Sequence, residues 1–300
     1  MTDSVPGAFM QAELVSQPEM WVRAADMRDE HRTLPAAGSR VAVIGCGTSW
    51  FIAQSYAALR ETAGLGVTDA YAASEAFLDR DYDAVVALTR SGTTSEVLEV
   101  TEQLKGRIPV IGVIGDPDSP LVDLVDEAVL MPFADEQSVV QTRFATTALT
   151  LFRSSLGLTA DVARSIADAE AVLASDDDAT LSDAEQYTFL GRNWTIGLAH
   201  EAALKMRESS QSWTESYPSK DYRHGPIAIA APGRITWQFG AAPQGLAGEV
   251  EATGARFVQH DVDPLADLVR LHRVALDRAL AKGLDPDLPR NLTRSVILDA

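Results

Sequence analysis

Two segments of this chain share one plan, and that plan narrows the fold more than any other feature. A continuous apolar run, Val41-Ala-Val-Ile44, passes at once into Gly45-Cys-Gly-Thr-Ser49 and then into an alanine-rich helical stretch reaching about Thr62. A second run, Ala84-Val-Val-Ala-Leu-Thr89, passes into Arg90-Ser-Gly-Thr-Thr94 and a helix from Ser95 to about Lys105. Further strands are expected at Pro109–Ile114 and Ala128–Met131. Short strands with no polar alternation, interleaved with helices, predict an α/β fold whose parallel sheet is covered on both faces.

The pattern then returns. Tyr187-Thr-Phe-Leu190, Gly191 and a helix through Met206 echo the first unit, with Leu190-Gly191 answering Ile44-Gly45. Strands follow near 234–238 and 256–260, and an amphipathic helix runs from about Pro264 to Lys282, stopped by Gly283. Before the first strand, residues 8–33 read as a helix, and two helices are expected over 136–173. The acidic, turn-rich stretch 174–183 reads as a linker between duplicated halves. The expected organisation is an N-terminal helical segment (1–36), a first α/β domain (37–175) and a second (184–300) carrying a short tail. Three hundred residues, 46% of them hydrophobic, suffice for two such cores.

Charge bounds the partners. Twenty-five Lys and Arg against 43 Asp and Glu leave the chain at −18. At long range it repels phosphate polyanions and anionic membrane surfaces, so neither nucleic acid nor membrane is expected as a partner. No apolar run approaches the roughly 20 residues that span a bilayer. The N-terminus lacks the basic and apolar blocks of a secretory signal, and the single cysteine, Cys46, has no internal partner; both point to the cytoplasm. Only four residues are lysines: Lys105, Lys205, Lys220 and Lys282.

The two hydroxyl-rich turns carry the first chemistry. Gly47-Thr48-Ser49 and Ser91-Gly92-Thr93-Thr94 each follow a buried strand and open a helix, where unpaired N–H groups and a partial positive charge are exposed. Ser and Thr also cap ordinary helices, which is the plainer reading of either turn alone. Both turns together, on neighbouring strands and with Arg90 beside the second, favour a phosphate cradle. Neither is a nucleotide-binding fingerprint. Further on, Glu201, Lys205 and Glu208 share one helix face, a pattern that by itself is commonly solvated surface. His224, followed by Gly-Pro, fits a turn, and with a glutamate it would supply an acid and a base. The other histidines lack metal-ligand spacing, so no metal and no cofactor is expected. Cys46 reads as a small packed residue, not a nucleophile.

Seven segments, in order over nearly the whole chain, resemble the two-domain sugar isomerase (SIS) family. They are 10–18, Gly45–Ser49, Thr89–Thr94, Glu136-Gln-Ser-Val-Val-Gln-Thr142, Ala199–Glu208, Arg223-His-Gly-Pro226 and Pro289-Arg-Asn-Leu-Thr-Arg-Ser-Val296. The resemblance is to the isomerase half of glucosamine-6-phosphate synthase and to stand-alone deaminase and deglycase relatives. It implies two flavodoxin-like α/β subdomains, usually in a homodimer with active sites at the subunit interface. It also implies a sugar phosphate held by Ser49, Thr89, Ser91 and Thr94, with Thr48 alongside; Gly47 and Arg90 join them from the reading of the two turns. Glu208 would then move the proton between C1 and C2, and His224 would assist ring opening. Glu201 and Lys205 match positions near the site, and Val139 and Gln141 match a loop lining the sugar. Arg90 and the Ser-Val-Val-Gln-Thr loop look more like the deaminase-type relatives.

Two departures shape the expected mechanism. The sequence includes no glutaminase domain, so release of ammonia from glutamine by the synthase route is not expected. Arg294 stands where the synthase pattern has an imine-forming lysine; a guanidinium is no amine nucleophile but binds phosphate or an oxyanion well. Lys205 is the alternative amine. The reading is therefore an isomerase or deaminase acting on an amino-sugar or ketosamine 6-phosphate. A non-catalytic sugar-phosphate-binding module and an isomerase of a neutral-sugar phosphate are the alternatives.

Overall fold

A computed structural model of the chain describes residues 5–176 and 179–298. Asp177 and Asp178 of the expected linker, and the outermost residues of the first and last expected segments, lie outside them. In chain order the elements are α1 (Ala8–Ala25), β1 (Val41–Gly45), α2 (Thr48–Thr62), β2 (Thr68–Ala72), β3 (Ala84–Thr89), α3 (Ser95–Leu104), β4 (Val110–Ile114) and β5 (Glu127–Leu130). Then come α4 (Arg143–Ser155), α5 (Thr159–Ala174), β6 (Gln186–Gly191), α6 (Thr195–Ser210), β7 (Thr214–Pro218), β8 (Arg234–Gln238), α7 (Leu246–Glu251), β9 (Arg256–Gln259) and α8 (Pro264–Ala281).

The chain divides into two compact units. The first-sheet unit comprises Glu19–Glu136, Gln141–Val162 and the chain from Leu292; the second-sheet unit comprises the chain up to Pro18, Gln137–Val140 and Ala163–Asn291. Each unit thus draws on separated stretches of chain.

In the first-sheet unit all strands are parallel, in the order β2-β1-β3-β4-β5. The central strands β1, β3 and β4 are buried along their whole length, which is why they read as unbroken apolar runs. Strand order reverses between β1 and β3, the point where open α/β sheets leave a crevice at their carboxyl edge. Ile44, Val85, Val97, Leu104, Ile114 and Leu121 pack in one apolar cluster. Tyr56 of α2 stacks on Phe152 of α4 with ring centroids 4.0 Å apart. The buried Arg60 guanidinium donates to the Ser39 carbonyl and to Thr68 Oγ1, each at 2.9 Å, tying the entries of β1 and β2 together.

The second-sheet unit repeats this plan in shorter form. Its order, β7-β6-β8-β9, is that of the first four positions of the other sheet, again all parallel. The expected echo of Gly45 at Gly191 is structural. A Cβ on Gly45 would lie 2.7 Å from Ser49 Cβ and 2.8 Å from Ser49 C, and one on Gly191 would fall on the Thr195 carbonyl oxygen. Each glycine ends a strand and lets the next helix start directly against it. Helix α8 packs on α6. Asp267 of α8 accepts from Trp237 Nε1 at 2.8 Å and pairs with His260 Nδ1 at 2.7 Å. His272, fully buried, meets Gln17 Nε2 through Nδ1 at 3.3 Å.

Three features differ from the sequence reading. The helix expected over 8–33 stops at Ala25, and only a 3-10 turn (Glu30–Arg32) follows. Its buried face ends with Ala24, and no residue from 25 to 33 is buried, so nothing holds a longer helix in place. Strands β2 and β7 and the short α7 were not expected. Both strands are sheet edges and mostly half-exposed, so they show no apolar run.

Two stability predictions follow from this packing. Gly45→Ala and Gly191→Ala should each cost about 1–3 kcal/mol in urea unfolding, because the added methyl meets backbone that cannot move aside. Gly248→Ala, inside α7 with open space around the new methyl, should instead stabilise by about 0.4–1 kcal/mol. Burial, and secondarily the Lys205 charge, push the His272 pKa down to about 3. The unfolded chain therefore binds a proton near pH 6.5 that the folded chain refuses. The stability this confers is full above about pH 6.5 and is lost progressively as pH falls toward 3. Wild type should lose up to about 1.4 kcal/mol per pH unit in that window from this group, and His272→Gln should flatten the slope.

Candidate functional site

In the first-sheet unit the two turns lie side by side, because β1 and β3 are paired from Val41↔Ala84 to Ile44↔Ala87. Gly47, with φ of +53°, is the N-cap of α2, and Thr94 is that of α3. Gly47 has no side chain to cap with, and Thr94 makes no side-chain capping hydrogen bond to α3. Thr89 Oγ1 instead accepts from Gly92 N at 3.2 Å, and Ser91 Oγ accepts from Thr93 N at 3.3 Å. A hydroxyl that accepts from backbone keeps its own proton for donation. Thr48, Ser49, Thr89, Arg90 and Ser91 are all buried, while Gly47 is exposed and Thr94 half-buried. Cys46 is half-buried; burial first, then the Glu96 carboxylate, push its thiol up to about 11, so it stays protonated at neutral pH.

The C-terminal segment runs along the second turn of the same unit. Ser295 Oγ meets Thr93 Oγ1 at 2.8 Å, Ser95 N donates to the Val296 carbonyl at 3.2 Å, and Leu298 N donates to Ser95 Oγ at 2.8 Å. Arg90 Nη2 donates to the Arg294 carbonyl at 2.7 Å. The Arg294 guanidinium, expected to meet an anionic ligand, meets Asp135 instead. Its Nη2 is held by both carboxylate oxygens at 2.6 Å, and its Nη1 donates to the Glu136 carbonyl. The Glu136 carboxylate accepts from Thr142 N and Arg143 N at 2.7 Å and from Phe144 N at 3.1 Å, so it satisfies the start of α4. Gln141 also lies in this unit, and its Oε1 is buried with no hydrogen-bond partner.

In the second-sheet unit, Glu201, Lys205 and Glu208 project from α6. They are not solvated surface: Glu201 and Lys205 are 0% exposed. Lys205 Nζ lies 3.6 Å from Glu201 Oε1 and is directly hydrogen-bonded to Glu208 Oε2. Glu208 is the most open member, with its side chain 19% exposed. A buried ammonium between two carboxylates is costly to desolvate, and the pairing offsets that cost. Such an arrangement sets one partly open carboxylate beside a buried positive charge. His224, itself exposed, ends a 3-10 turn (Asp221–His224) in which Tyr222 is buried, and its side chain makes no hydrogen bond or ion pair among the described residues. Val139 belongs to this unit as well, and its N–H donates to the Asp287 carbonyl at 3.4 Å.

Sequence reasoning missed Asp135, the Glu136 anchor and the contacts of Ser295 and Val296. Glu136 was visible as part of a matched segment, but its six-residue reach to Thr142 has no local motif. Among the described residues no group of three His, Cys, Asp or Glu side chains is arranged for a metal ion. Likewise, no helix among them is long and apolar enough to cross a membrane.

Comparison with known proteins places this geometry. Residues 36–156 match the SIS domain family. A glutamine–fructose-6-phosphate aminotransferase (isomerizing) from a Nostoc species is 26% identical over 87% of this chain and 52% of its own length. The enzyme of that name from Pyrobaculum aerophilum is 25% identical over 97% of this chain and 58% of its own. The chain thus spans about half the length of the curated relatives it matches. Among solved structures, a glucosamine-6-phosphate deaminase from Thermotoga maritima superposes with a TM-score of 0.79 at 22% identity, covering 97% of this chain and 100% of that one. A tagatose-6-phosphate ketose/aldose isomerase from Escherichia coli gives 0.80 at 16% identity, covering 99% of both. At these identities the structural likeness is one of fold. Residues 36–156 are thus a SIS domain, and the chain that carries it resembles the isomerase half of the aminotransferases and the stand-alone SIS deaminases and isomerases.

Proposed function

We propose that this protein is a phosphosugar isomerase or deaminase acting on an amino-sugar or ketosamine 6-phosphate. The observation that carries the reading is the buried Lys205 paired with Glu201 and Glu208, with Glu208 alone partly open. A module that only binds a sugar phosphate has no need of two carboxylates and an ammonium desolvated on one helix. Charged groups buried together beside a partly open carboxylate suit proton transfer better than simple binding. The SIS domain at 36–156 and the deaminase and isomerase likenesses support the same class.

The reading gives each group a role. In the first-sheet unit, Ser49, Thr89, Ser91 and Thr94, with Gly47, Thr48 and Arg90, retain the phosphate through hydroxyls, a guanidinium and two helix N-termini. In the second-sheet unit, His224 assists ring opening and Glu208 takes the proton from C2 of the open aldose and returns it to C1. Lys205 holds Glu208 in place, and Glu201 holds Lys205. Val139 and Gln141 line the sugar. With a 2-amino aldose the intermediate is an enolamine, and protonation at C1 leaves an imine at C2. Water then adds to C2, releasing ammonia and a ketose, so the net change is amino-aldose plus water to ketose plus ammonia. With a 2-hydroxy aldose the same transfer ends at the ketose. Active sites completed by a second copy in a homodimer belong to the same proposal.

The test is purified protein with glucosamine-6-phosphate and a panel of 6-phospho-amino sugars, following ketose and ammonia separately. Glu208→Gln should lower kcat about 100- to 10,000-fold with little change in KM. Equal turnover by wild type and Glu208→Gln sinks the role of Glu208. Ser91→Ala and Thr94→Ala should each raise KM roughly 10-fold, the loss of about one charge-assisted hydrogen bond to phosphate. Ketose without ammonia from every substrate would point to a neutral-sugar isomerase. Saturable binding with no turnover would point to a binding module.

A further inference from the structure

We propose that the Arg294–Asp135 ion pair is a positioning clasp: it fastens the C-terminal strap, residues 293–298, along the second turn, and the strap sets Arg90 and the start of α3 for an incoming phosphate. The inference rests on the phosphate role assigned to that turn above. All the groups concerned lie in the first-sheet unit.

The strap and the candidate phosphate groups use alternate members of one turn. Thr93 and Ser95 are engaged by Ser295, Val296 and Leu298. Thr89, Ser91 and Thr94, the hydroxyls assigned to phosphate, make no hydrogen bond to the strap among the described residues; Thr89 and Ser91 accept from the turn's own N–H groups. The turn is pressed from another side as well. Gly92 has φ of +60°, and a Cβ there would fall inside the Ser119 hydroxyl. A loop braced on two sides holds its donors in one arrangement before the ligand arrives, which lowers the cost of binding.

The strap's contact with Arg90 is specific in kind. The buried guanidinium is oriented by a main-chain carbonyl, that of Arg294. A carbonyl fixes direction without adding a negative charge that would compete with a ligand's phosphate. The same residue's side chain anchors the strap at the other end of the contact, on Asp135 and on the Glu136 carbonyl. Arg294 therefore links the loop beginning at Asp135 to Arg90 through one residue. Its guanidinium is committed to a carboxylate, so it acts through Arg90 and does not touch the substrate. The pair is about one-third exposed on each side, and exposed pairs contribute little to global stability. Its loss should appear in ligand affinity much more than in Tm. The side chains of Val296, Ile297 and Leu298 are themselves mostly exposed, so apolar packing contributes little to holding the strap down.

The experiment uses the full chain with Arg294→Gln, Arg294→Lys, Asp135→Asn and the exchanged pair Arg294→Asp with Asp135→Arg. Binding of inorganic phosphate and of fructose 6-phosphate is measured by calorimetry. Deuterium uptake is followed in peptides covering 92–98 and 293–298. The expectation is about 10-fold weaker phosphate binding in Arg294→Gln and Asp135→Asn, with faster uptake in both peptides and almost unchanged Tm. Arg294→Lys should fall between, and the exchanged pair should regain most of the affinity and the protection. With a turnover substrate, KM should rise more than kcat falls. The clasp is overturned if uptake in Arg294→Gln matches wild type. It is also overturned if affinity falls in the single variants and the exchanged pair fails to recover it, because Arg294 then contacts the ligand itself. Wild type that binds neither phosphate nor the sugar phosphate overturns the phosphate reading and the positioning role with it, while the uptake comparison still judges the clasp alone.

Discussion

The contact on which this structure depends is between the last residue of a strand and the first turn of the next helix. At Gly45 and again at Gly191 only a hydrogen fits, and α2 and α6 begin against the sheet with no spacer. That approach delivers unpaired N–H groups and the positive helix end to the carboxyl edge of each sheet, whatever side chains follow. What differs is how the following residues use it. In the first-sheet unit the turn carries Gly47, Thr48 and Ser49, and its neighbour carries Thr89, Arg90 and Ser91. In the second-sheet unit Thr195 turns inward: its hydroxyl accepts from Arg192 N at 2.8 Å and donates to the Phe239 carbonyl at 3.1 Å. One scaffold thus leaves the edge proposed for phosphate open once and closes the equivalent edge with its own hydroxyl in the repeat.

The overall charge of −18 and a phosphate site are compatible because they act over different distances. Solvated surface carboxylates are screened within roughly 10 Å at ordinary ionic strength. Arg90 is buried, where screening is weak. The acidic exterior therefore discourages polyanions without preventing a small dianion from reaching a local cluster of donors. The same logic explains why Arg294 is spent on Asp135. A guanidinium left loose beside the turn would add attraction at the cost of order, whereas a paired one adds order and leaves the attraction to Arg90.

How much of this was legible in the sequence follows from which residues are buried on both sides. β1, β3, β4 and β6 read directly because each is enclosed along its full length. β2 and β7 did not, because an edge strand needs only one apolar face; Thr-Asp-Ala-Tyr-Ala and Thr-Glu-Ser-Tyr-Pro carry no run to detect. The hydroxyl turns were legible since their signal is local, a glycine and two hydroxyls at a helix start. The burial of Lys205 was not: Glu201, Lys205 and Glu208 have the spacing of any solvated helix face, and only the packing of α8 on α6 decides otherwise. The clasp was illegible for a different reason. Asp135 and Arg294 are far apart in sequence, and pairing between single charged residues at long separation leaves no pattern in one chain.

The interior around Lys205 shows how the fold protects the charge pattern assigned to proton transfer. His272, on the helix packed against α6, is a second basic group in that interior, and burial together with Lys205 keeps it neutral. A second cation there would compete with Lys205 for Glu201 and Glu208 and would weaken the one ion pair that orients Glu208. By excluding a proton from His272 well below neutral pH, the core preserves a single ammonium between two carboxylates over the range in which a sugar-phosphate enzyme would work. Gln17 meets the ring at Nδ1 from α1, so a helix at the start of the chain orients the imidazole. The N-terminal helix, which the sequence reading set apart as a segment of its own (1–36), is up to Pro18 part of the second-sheet unit.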